Sequence, residues 1–293
     1  MNMPVNSDSP SRGILLLYLG VTLLSFNGIF SKLIPLDAFS ITQLRSLVAV
    51  GGFYLVCRTC KVSLRVSSPL DLAGIYGLGL VMGLHWGTFF HAMQISSVAV
   101  GILALFSYPM ITVLLEPVFS RRRLALRDIV SGLLVLVGLL IMVWQDLLLG
   151  VSGQIVTGAA WGVLSALLFA LRNLTQKYFF KAIPSGTLMF HQLTAVTLLF
   201  VPFVDFSAAN RLTLNGWVLV VLLGLLGTAA AHTFYSASLK RLDAKTVSLI
   251  GCLQPVVTIL LAWAILHEVP SLSVVFGGAI ILFVAMLESG LRR

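Results

Sequence analysis

The sequence predicts an all-α polytopic membrane protein, with ten transmembrane helices arranged as two inverted five-helix repeats. Composition, the spacing of apolar runs and the alternation of basic residues predict it. Of the 293 residues, 58% are hydrophobic and 10% charged, whereas a soluble globular domain carries about 25% charged residues. Mean hydropathy is +1.03. Apolar runs fall near 13–34, 38–57, 70–92, 98–119, 126–145, 155–178, 185–204, 214–237, 245–266 and 271–289. Each approaches the roughly 20 residues needed to cross a hydrocarbon core of about 30 Å. Barrel strands are about ten residues of alternating polarity, and these runs are longer and apolar on both parities.

Residues 1–12 form a polar tail with Pro4, Ser7, Ser9 and Pro10. No basic region precedes a short apolar segment there, so a cleaved signal peptide is not expected. Basic residues then gather in every second break: Arg12; Arg58, Lys61 and Arg65; Arg121, Arg122, Arg123 and Arg127; Lys177 and Lys181; Lys240, Arg241 and Lys245; Arg292 and Arg293. The intervening breaks hold Lys32 and Arg211, while Arg45 and Arg172 lie inside apolar runs. Positive residues mark cytoplasmic loops, so both termini are expected in the cytoplasm. An extra or missing helix would scramble that alternation, which supports the count of ten. The net charge of +9 is thereby read as a topology signal and not as a nucleic-acid footprint.

Internal similarity divides the chain. Pro109-Met-Ile-Thr112-Val-Leu114-Leu115 recurs 146 residues later as Pro255-Val-Val-Thr258-Ile-Leu260-Leu261, and the same offset carries Gly132 onto Gly278. At an offset of 149, Ile34-Pro35 and Gln43-Leu44 match Ile183-Pro184 and Gln192-Leu193. The expected organisation is a tail at 1–12, a first repeat at 13–150, a second at 151–289 and a tail at 290–293. Five helices per repeat is an odd number, so the second repeat is inverted. Such a fold places its substrate site near the midplane, where the repeats meet.

These residues resemble the drug/metabolite transporter superfamily in its EamA-type branch, over essentially the whole chain from Gly13 to about Glu288. The resemblance rests on the five-plus-five layout and on a mid-helix proline, a following acidic residue and a glycine in the next helix. The second half is complete in Gln254-Pro255, Glu268 and Gly278; the first has Tyr108-Pro109 and Gly132, with Arg122 in place of the acid. The resemblance implies ten helices, cytoplasmic termini, a central cavity and export or exchange of small metabolites. Arg122 weakens any mechanism that needs a symmetric pair of acids.

Candidate site residues follow from what a bilayer penalises. A helix-interior proline donates no hydrogen bond and clashes with the carbonyl four residues back, so Pro109 and Pro255 are candidate hinges that free the carbonyls of Leu105 and Gly251. Gly79, Gly83 and Gly87 share one helix face, as do Gly158, Gly162, Ala166 and Ala170, and such stripes let helices pack closely. Each charge at a span centre costs about 2.5 to 3.5 kcal/mol on insertion scales. Arg45 could bind a substrate carboxylate bidentately or donate to helix-end carbonyls. Arg172 has the same options and could also snorkel to the interface. Glu116, five residues from Arg121, is expected in a local ion pair or a half-exposed position, and Glu268, just before Pro270, at a helix N-terminus.

His85, Trp86 and Phe89 cluster in the outer part of the third run, and His232 and Tyr235 in the equivalent stretch of the eighth. Inversion would set the two groups at opposite ends of the membrane, as two gates. They could stack on an amphiphilic substrate or belong to core or lipid packing; the histidines could also relay protons. Tyr108, Asn27 and Gln254 complete the expected substrate-binding set, the last two equally suited to bridging helices.

The functional expectation is a secondary transporter, an exporter or exchanger of a small polar or amphiphilic metabolite such as an amino acid. The spans contain two arginines and no acid near their centre, which favours a zwitterion or carboxylate over a lone cation. A quaternary-amine or drug transporter of the same fold is the alternative; an intramembrane enzyme acting on lipids would need paired acids or a His-rich cluster. No phosphate loop, H-E-x-x-H or G-x-S-x-G motif is present, so neither catalytic residues nor a cofactor are expected. Cys57-Arg-Thr-Cys60 has no second ligand pair and suggests no metal. Expected partners are the substrate, membrane lipids and protons as a candidate coupling ion, in a bacterial inner membrane.

Overall fold

The computed structural model describes residues 10–61, 63–120, 126–149, 153–239, 241–242, 247 and 250–291, and all the regular elements among them are helical. In the first half, α1 (Pro10–Ser25) and α2 (Asn27–Leu33) form one apolar span interrupted at Phe26. Then follow α3 (Ala38–Thr59), α4 (Pro69–Ile95), α5 (Val98–Leu105) and α6 (Tyr108–Ser120), the last two a second interrupted span, and α7 (Leu126–Leu149). The second half holds α8 (Gln154–Phe179), α9 (Ser185–Leu199), a single 3-10 turn (Val201–Phe203), the short α10 (Phe206–Asn210) and α11 (Leu214–Gly224). A π-helical segment (Leu225–Ala230) joins α11 to α12 (Ala231–Leu239), and α13 (Leu253–Leu266) and α14 (Leu272–Leu291) close the chain.

Helix starts follow local chemistry. Ser68 accepts the Asp71 N–H at 3.2 Å while Pro69 fills the first helical position of α4, where a missing N–H costs nothing. Ser97 caps α5 at Val100, and Thr213 caps α11 at Gly216. Pro35 ends α2, after which Asp37 accepts from the N–H groups of Phe39 and Ser40 to start α3. Asp205 does the same for α10. The N–H of Ala208 and the hydroxyl of Ser207 hold the exposed Asp205 carboxyl below the ordinary carboxylate range.

Seven stretches are long and apolar enough to cross a membrane: Ser11–Leu33, Ala38–Thr59, Pro69–Ile95, Val98–Ser120, Leu126–Gln145, Gln154–Phe179 and Leu214–Tyr235. The other three expected spans contain shorter apolar helices, Ser185–Leu199, Leu253–Leu266 and Leu272–Leu287. Length and composition thus single out seven of the ten expected spans among the described residues, and the chain is a polytopic integral membrane protein. Arg121, Arg122, Arg123, Lys240, Lys245, Arg292 and Arg293, which carry much of the expected orientation signal, lie outside the described residues, as do tail residues 1–9.

Packing pairs the elements reciprocally. α4 lies against α8 and α9; α12 lies against α1, and α11 with the π segment lies against α3. Further contacts, among them α3 with α9, α5 with α13 and α7 with α14, join the halves. Glycines set these approaches. A Cβ on Gly79 would fall 2.8 Å from the Gln192 carbonyl oxygen on α9, and one on Gly162 would fall 2.5 Å from Ala104 Cβ on α5. One on Gly138 would fall 2.8 Å from the Gly277 carbonyl oxygen, where α7 crosses α14. Without a hydrophobic force between helices in lipid, such backbone proximity supplies the van der Waals contact that holds a bundle together. The outer face of α7 presents Leu133, Leu136, Leu140 and Trp144, all exposed, as lipid contact requires.

Gly79→Leu is expected to wedge α4 from α9, at a cost typical of overpacking, about 1–3 kcal/mol. The purified variant should therefore melt below the wild type in detergent; an unchanged melting temperature would contradict this helix approach.

Candidate functional site

The site is built on α4, where helical spacing gives two neighbouring faces. His85 and Phe89 share one, and Trp86 and Phe90 share the next. Opposite the first face, α8 places Ser165 and Phe169. His85 Nδ1 lies 3.0 Å from the Ser165 carbonyl oxygen and 2.8 Å from its hydroxyl, while that hydroxyl donates to the His85 carbonyl at 2.9 Å. A carbonyl can only accept, so Nδ1 carries the proton, and in the neutral imidazole Nε2 is left as an acceptor. The ring stacks on Phe169 at 4.7 Å, and Phe169 in turn meets Tyr108 edge-on at 4.9 Å.

Opposite the second face, α3 places Arg45, only 1% exposed. Its guanidinium lies 4.1 Å from the Trp86 ring centroid and 5.1 Å from that of Phe90. Nε and Nη1 are buried with no hydrogen-bond partner among the described residues. A desolvated cation–π contact is worth about 2 kcal/mol, whereas hydrogen bonds to charged groups contribute roughly 1.5–3 kcal/mol each. The two ring contacts therefore do not compensate for two missing acceptors. The far edge of Trp86 approaches His232 of α12, with ring centroids 6.1 Å apart.

That contact overturns the expected separation of the aromatic groups into two gates at opposite ends. Trp86 lies past the middle of α4, and His232 lies well along the span that begins at Leu214. The ring contact brings the two groups together instead of parting them. Tyr235, one turn beyond His232, packs with Leu17 and Val21 at the α1–α12 crossing, where a Cβ on Gly20 would lie 3.2 Å from the Tyr235 nitrogen.

The remaining expected residues fall around this assembly. Asn27 opens α2, and its Oδ1 is buried without a partner among the described residues, against the bare face of Gly227 in the π segment. The Gln254 carbonyl lies 3.3 Å from the Ser25 hydroxyl, which joins the break before α2 to the start of α13. Arg172, one turn past Phe169 on α8, donates from Nε and Nη2 to Gln192 Oε1 at 3.0 and 2.6 Å and from Nη1 to Asn173. It is tied into the α8–α9 contact and does not snorkel.

Each proline sits just after an interruption. Pro109 is the second residue of α6, past a turn at Phe106 and Ser107, and Pro255 is the third residue of α13, past a turn at Cys252. In a first turn the missing N–H would have no intrahelical partner anyway, so each proline marks a helix start and not a kink within a continuous helix. Gly132 lies away from the centre and lines an apolar cavity of about 270 Å³ with Ser107, Met110 and Leu136. Glu116 pairs with Lys177 at 2.6 Å, while its expected partner Arg121 lies outside the described residues. Glu268 accepts the first N–H of α5, from Val98, instead of capping α14.

Sequence reasoning missed Phe90, Ser165 and Phe169. Phe90 stands one turn past Trp86, and Phe169 one turn past Ser165. The four-residue spacing was the available signal, but on helices apolar all round it selects no face. Cys57 is buried and Cys60 exposed, both as free thiols. No cluster of three metal-ligating side chains occurs among the described residues.

The sequence profile of the EamA-like transporter family matches the chain twice, at residues 11–144 and 156–289. An uncharacterized transporter, YxxF of Bacillus subtilis (strain 168), is 24% identical over 298 residues, covering 99% of this chain and 93% of that protein. A chain of a previously determined crystal structure superposes with a TM-score of 0.63 at 20% identity, over 97% of this chain and 98% of the other, which shows a shared fold.

Nitrogen-15 NMR of labelled protein in lipid should show His85 protonated at Nδ1 and bare at Nε2 in its neutral form. The opposite tautomer would be incompatible with the Ser165 contact.

Proposed function

Since the chain belongs to the EamA-like transporter family, we propose that it is a secondary transporter of a small polar or amphiphilic metabolite bearing a carboxylate, such as an amino acid, working as an exporter or exchanger by alternating access. The carrying observation is Arg45: a guanidinium sealed between α3 and α4, stacked on Trp86, with two N–H groups lacking acceptors among the described residues. A substrate carboxylate supplies two acceptor oxygens that can pair with Nη2 and one of these two donors along one edge of the guanidinium.

In this reading Arg45 holds the carboxylate and Trp86 covers its apolar part. His85, through Nε2, accepts a substrate ammonium or a coupling proton. Phe89, Tyr108, His232, Asn27, Tyr235, Gln254 and Arg172 line the path as the bundle moves, with Pro109 and Pro255 marking the interruptions about which it moves. The architecture is ten helices in two inverted repeats, 13–150 and 151–289. The two profile matches support it, as does the reciprocal packing, in which α4 meets α8 and α9 as α12 and α11 meet α1 and α3. The alternation of basic residues supports cytoplasmic termini in a bacterial inner membrane.

The test is the melting temperature of purified, detergent-solubilised protein against amino acids, carboxylates, nucleotide sugars and quaternary amines, since a ligand that binds the folded state raises it. Carboxylate-bearing solutes should stabilise the wild type and not Arg45→Met, and the hits should cross liposomes containing the protein. Trp86→Ala should weaken their binding about tenfold, or about 1.4 kcal/mol. Stabilisation by quaternary amines alone, undiminished in Arg45→Met, would overturn the carboxylate assignment.

A further inference from the structure

Two ion pairs stand outside the central assembly, and each joins one half of the chain to the other. Lys32 Nζ lies 3.4 Å from Glu268 Oε1, and Lys177 Nζ lies 2.6 Å from Glu116 Oε1. Lys32 is in the last turn of α2 and Lys177 in the last turn of α8. Each lysine therefore ends the first span of its half. Glu116 lies toward the end of α6, and Glu268 two residues past the end of α13. Each acid thus ends the fourth span of the opposite half. The two pairs join corresponding spans of the two halves, although in the internal repeat Glu268 aligns with Arg122 and not with Glu116.

They sit at opposite ends of one span. Glu268 Oε2 accepts the Val98 N–H at 2.8 Å, at the start of the stretch Val98–Ser120. Glu116 lies 18 residues further along it, or roughly 27 Å at the helical rise. Between them the span is interrupted at Phe106 and Ser107, beside Tyr108 of the central site. An interruption uncouples the two halves of a span, so one end can move while the other stays fastened.

We propose that Lys32–Glu268 and Lys177–Glu116 are the two latches of the transport cycle, one at each membrane face, and that they open in turn. The inference rests on the alternating-access reading and specifies how access is controlled. The Lys32 latch is more elaborate: the ammonium also lies 3.1 Å from the Ser96 carbonyl and 3.5 Å from that of Gln94, at the end of α4. A left-handed turn at His267 (φ 57°) precedes Glu268 and turns the chain out of α13. At the other face, the Tyr178 hydroxyl adds a second bond to Glu116 at 3.1 Å. Both latches are partly exposed: side-chain exposures are 23% and 25% for Lys32 and Glu268, and 62% and 15% for Lys177 and Glu116. Water can solvate the partners on opening, which a latch requires and a sealed ion pair would forbid.

The test uses spin-label distances in lipid nanodiscs, on a chain whose Cys57, Cys60 and Cys252 are replaced by serine. Labels at the exposed positions Leu33 and Val269 report one face, and labels at Val118 and Lys181 the other. Lys32→Met should lengthen the first distance and leave the second unchanged; Lys177→Met should do the reverse. Lys32→Arg and Lys177→Arg should restore the closed distances. Distances that ignore both substitutions, or that change together in either variant, would overturn the proposal. The readout needs no known substrate. Independent opening in a protein that moves no tested solute would therefore count against the transport reading and not against the latches.

Discussion

Hydrocarbon offers no hydrogen bond to a carbonyl or an amide, so a membrane helix can be interrupted only where protein surrounds it. That constraint organises this molecule. The interruptions at Phe26, at Phe106–Ser107 and at Cys252, together with the π segment over Leu225–Ala230, belong to spans that pack among the others. α7, whose outer face is leucine and tryptophan, is unbroken from Leu126 to Leu149. Irregular backbone thus lies in spans that have protein on at least one side, and polar side chains stand at several of these places: Asn27 opens the helix after one break, Tyr108 begins the helix after another, and Thr228 lies buried in the π segment.

Within that interior the polar groups differ in how far they are satisfied. Arg172 spends three donors on Gln192 and Asn173, and His85 is tied to Ser165 through its ring Nδ1 and its backbone carbonyl, leaving only Nε2 open. These are finished networks of the kind that fix how helices sit. Arg45 and Asn27 are unfinished, each with buried atoms lacking partners among the described residues. A ligand gains most where the protein has left hydrogen-bonding capacity unused, so the unfinished pair, more than the finished networks, is where affinity would arise.

Much of the fold was legible in the sequence, because long apolar runs and their breaks are what a bilayer selects. All ten runs contain helix, and the small-residue stripes of α4 and α8 fall at close crossings, as Gly79 against α9 and Gly162 against α5 show. The site was legible residue by residue but not as an arrangement. Trp86 and His232 were identifiable as unusual occupants of spans, yet their meeting depends on how distant helices pack, which no local pattern encodes. Phe90 and Phe169 hid among apolar neighbours. Glu268 illustrates the same limit: its sequence position suggests the cap of the following helix, while the turn at His267 delivers it to Val98, 170 residues away.

The π segment also bears on how such a chain can vary. A π turn holds one residue more than an α turn, so everything after Ala230 is rotated by about 100° relative to an unbroken continuation of α11. His232 faces Trp86, and Tyr235 faces α1, in that rotated register. Removing a single residue between Leu225 and Ala230 would restore regular winding and preserve the span, yet it would swing both side chains off their present faces. Single-residue insertions and deletions here would therefore change both what the centre of the bundle presents and how α12 meets α1, so the length of this one turn is an inheritable setting of that register.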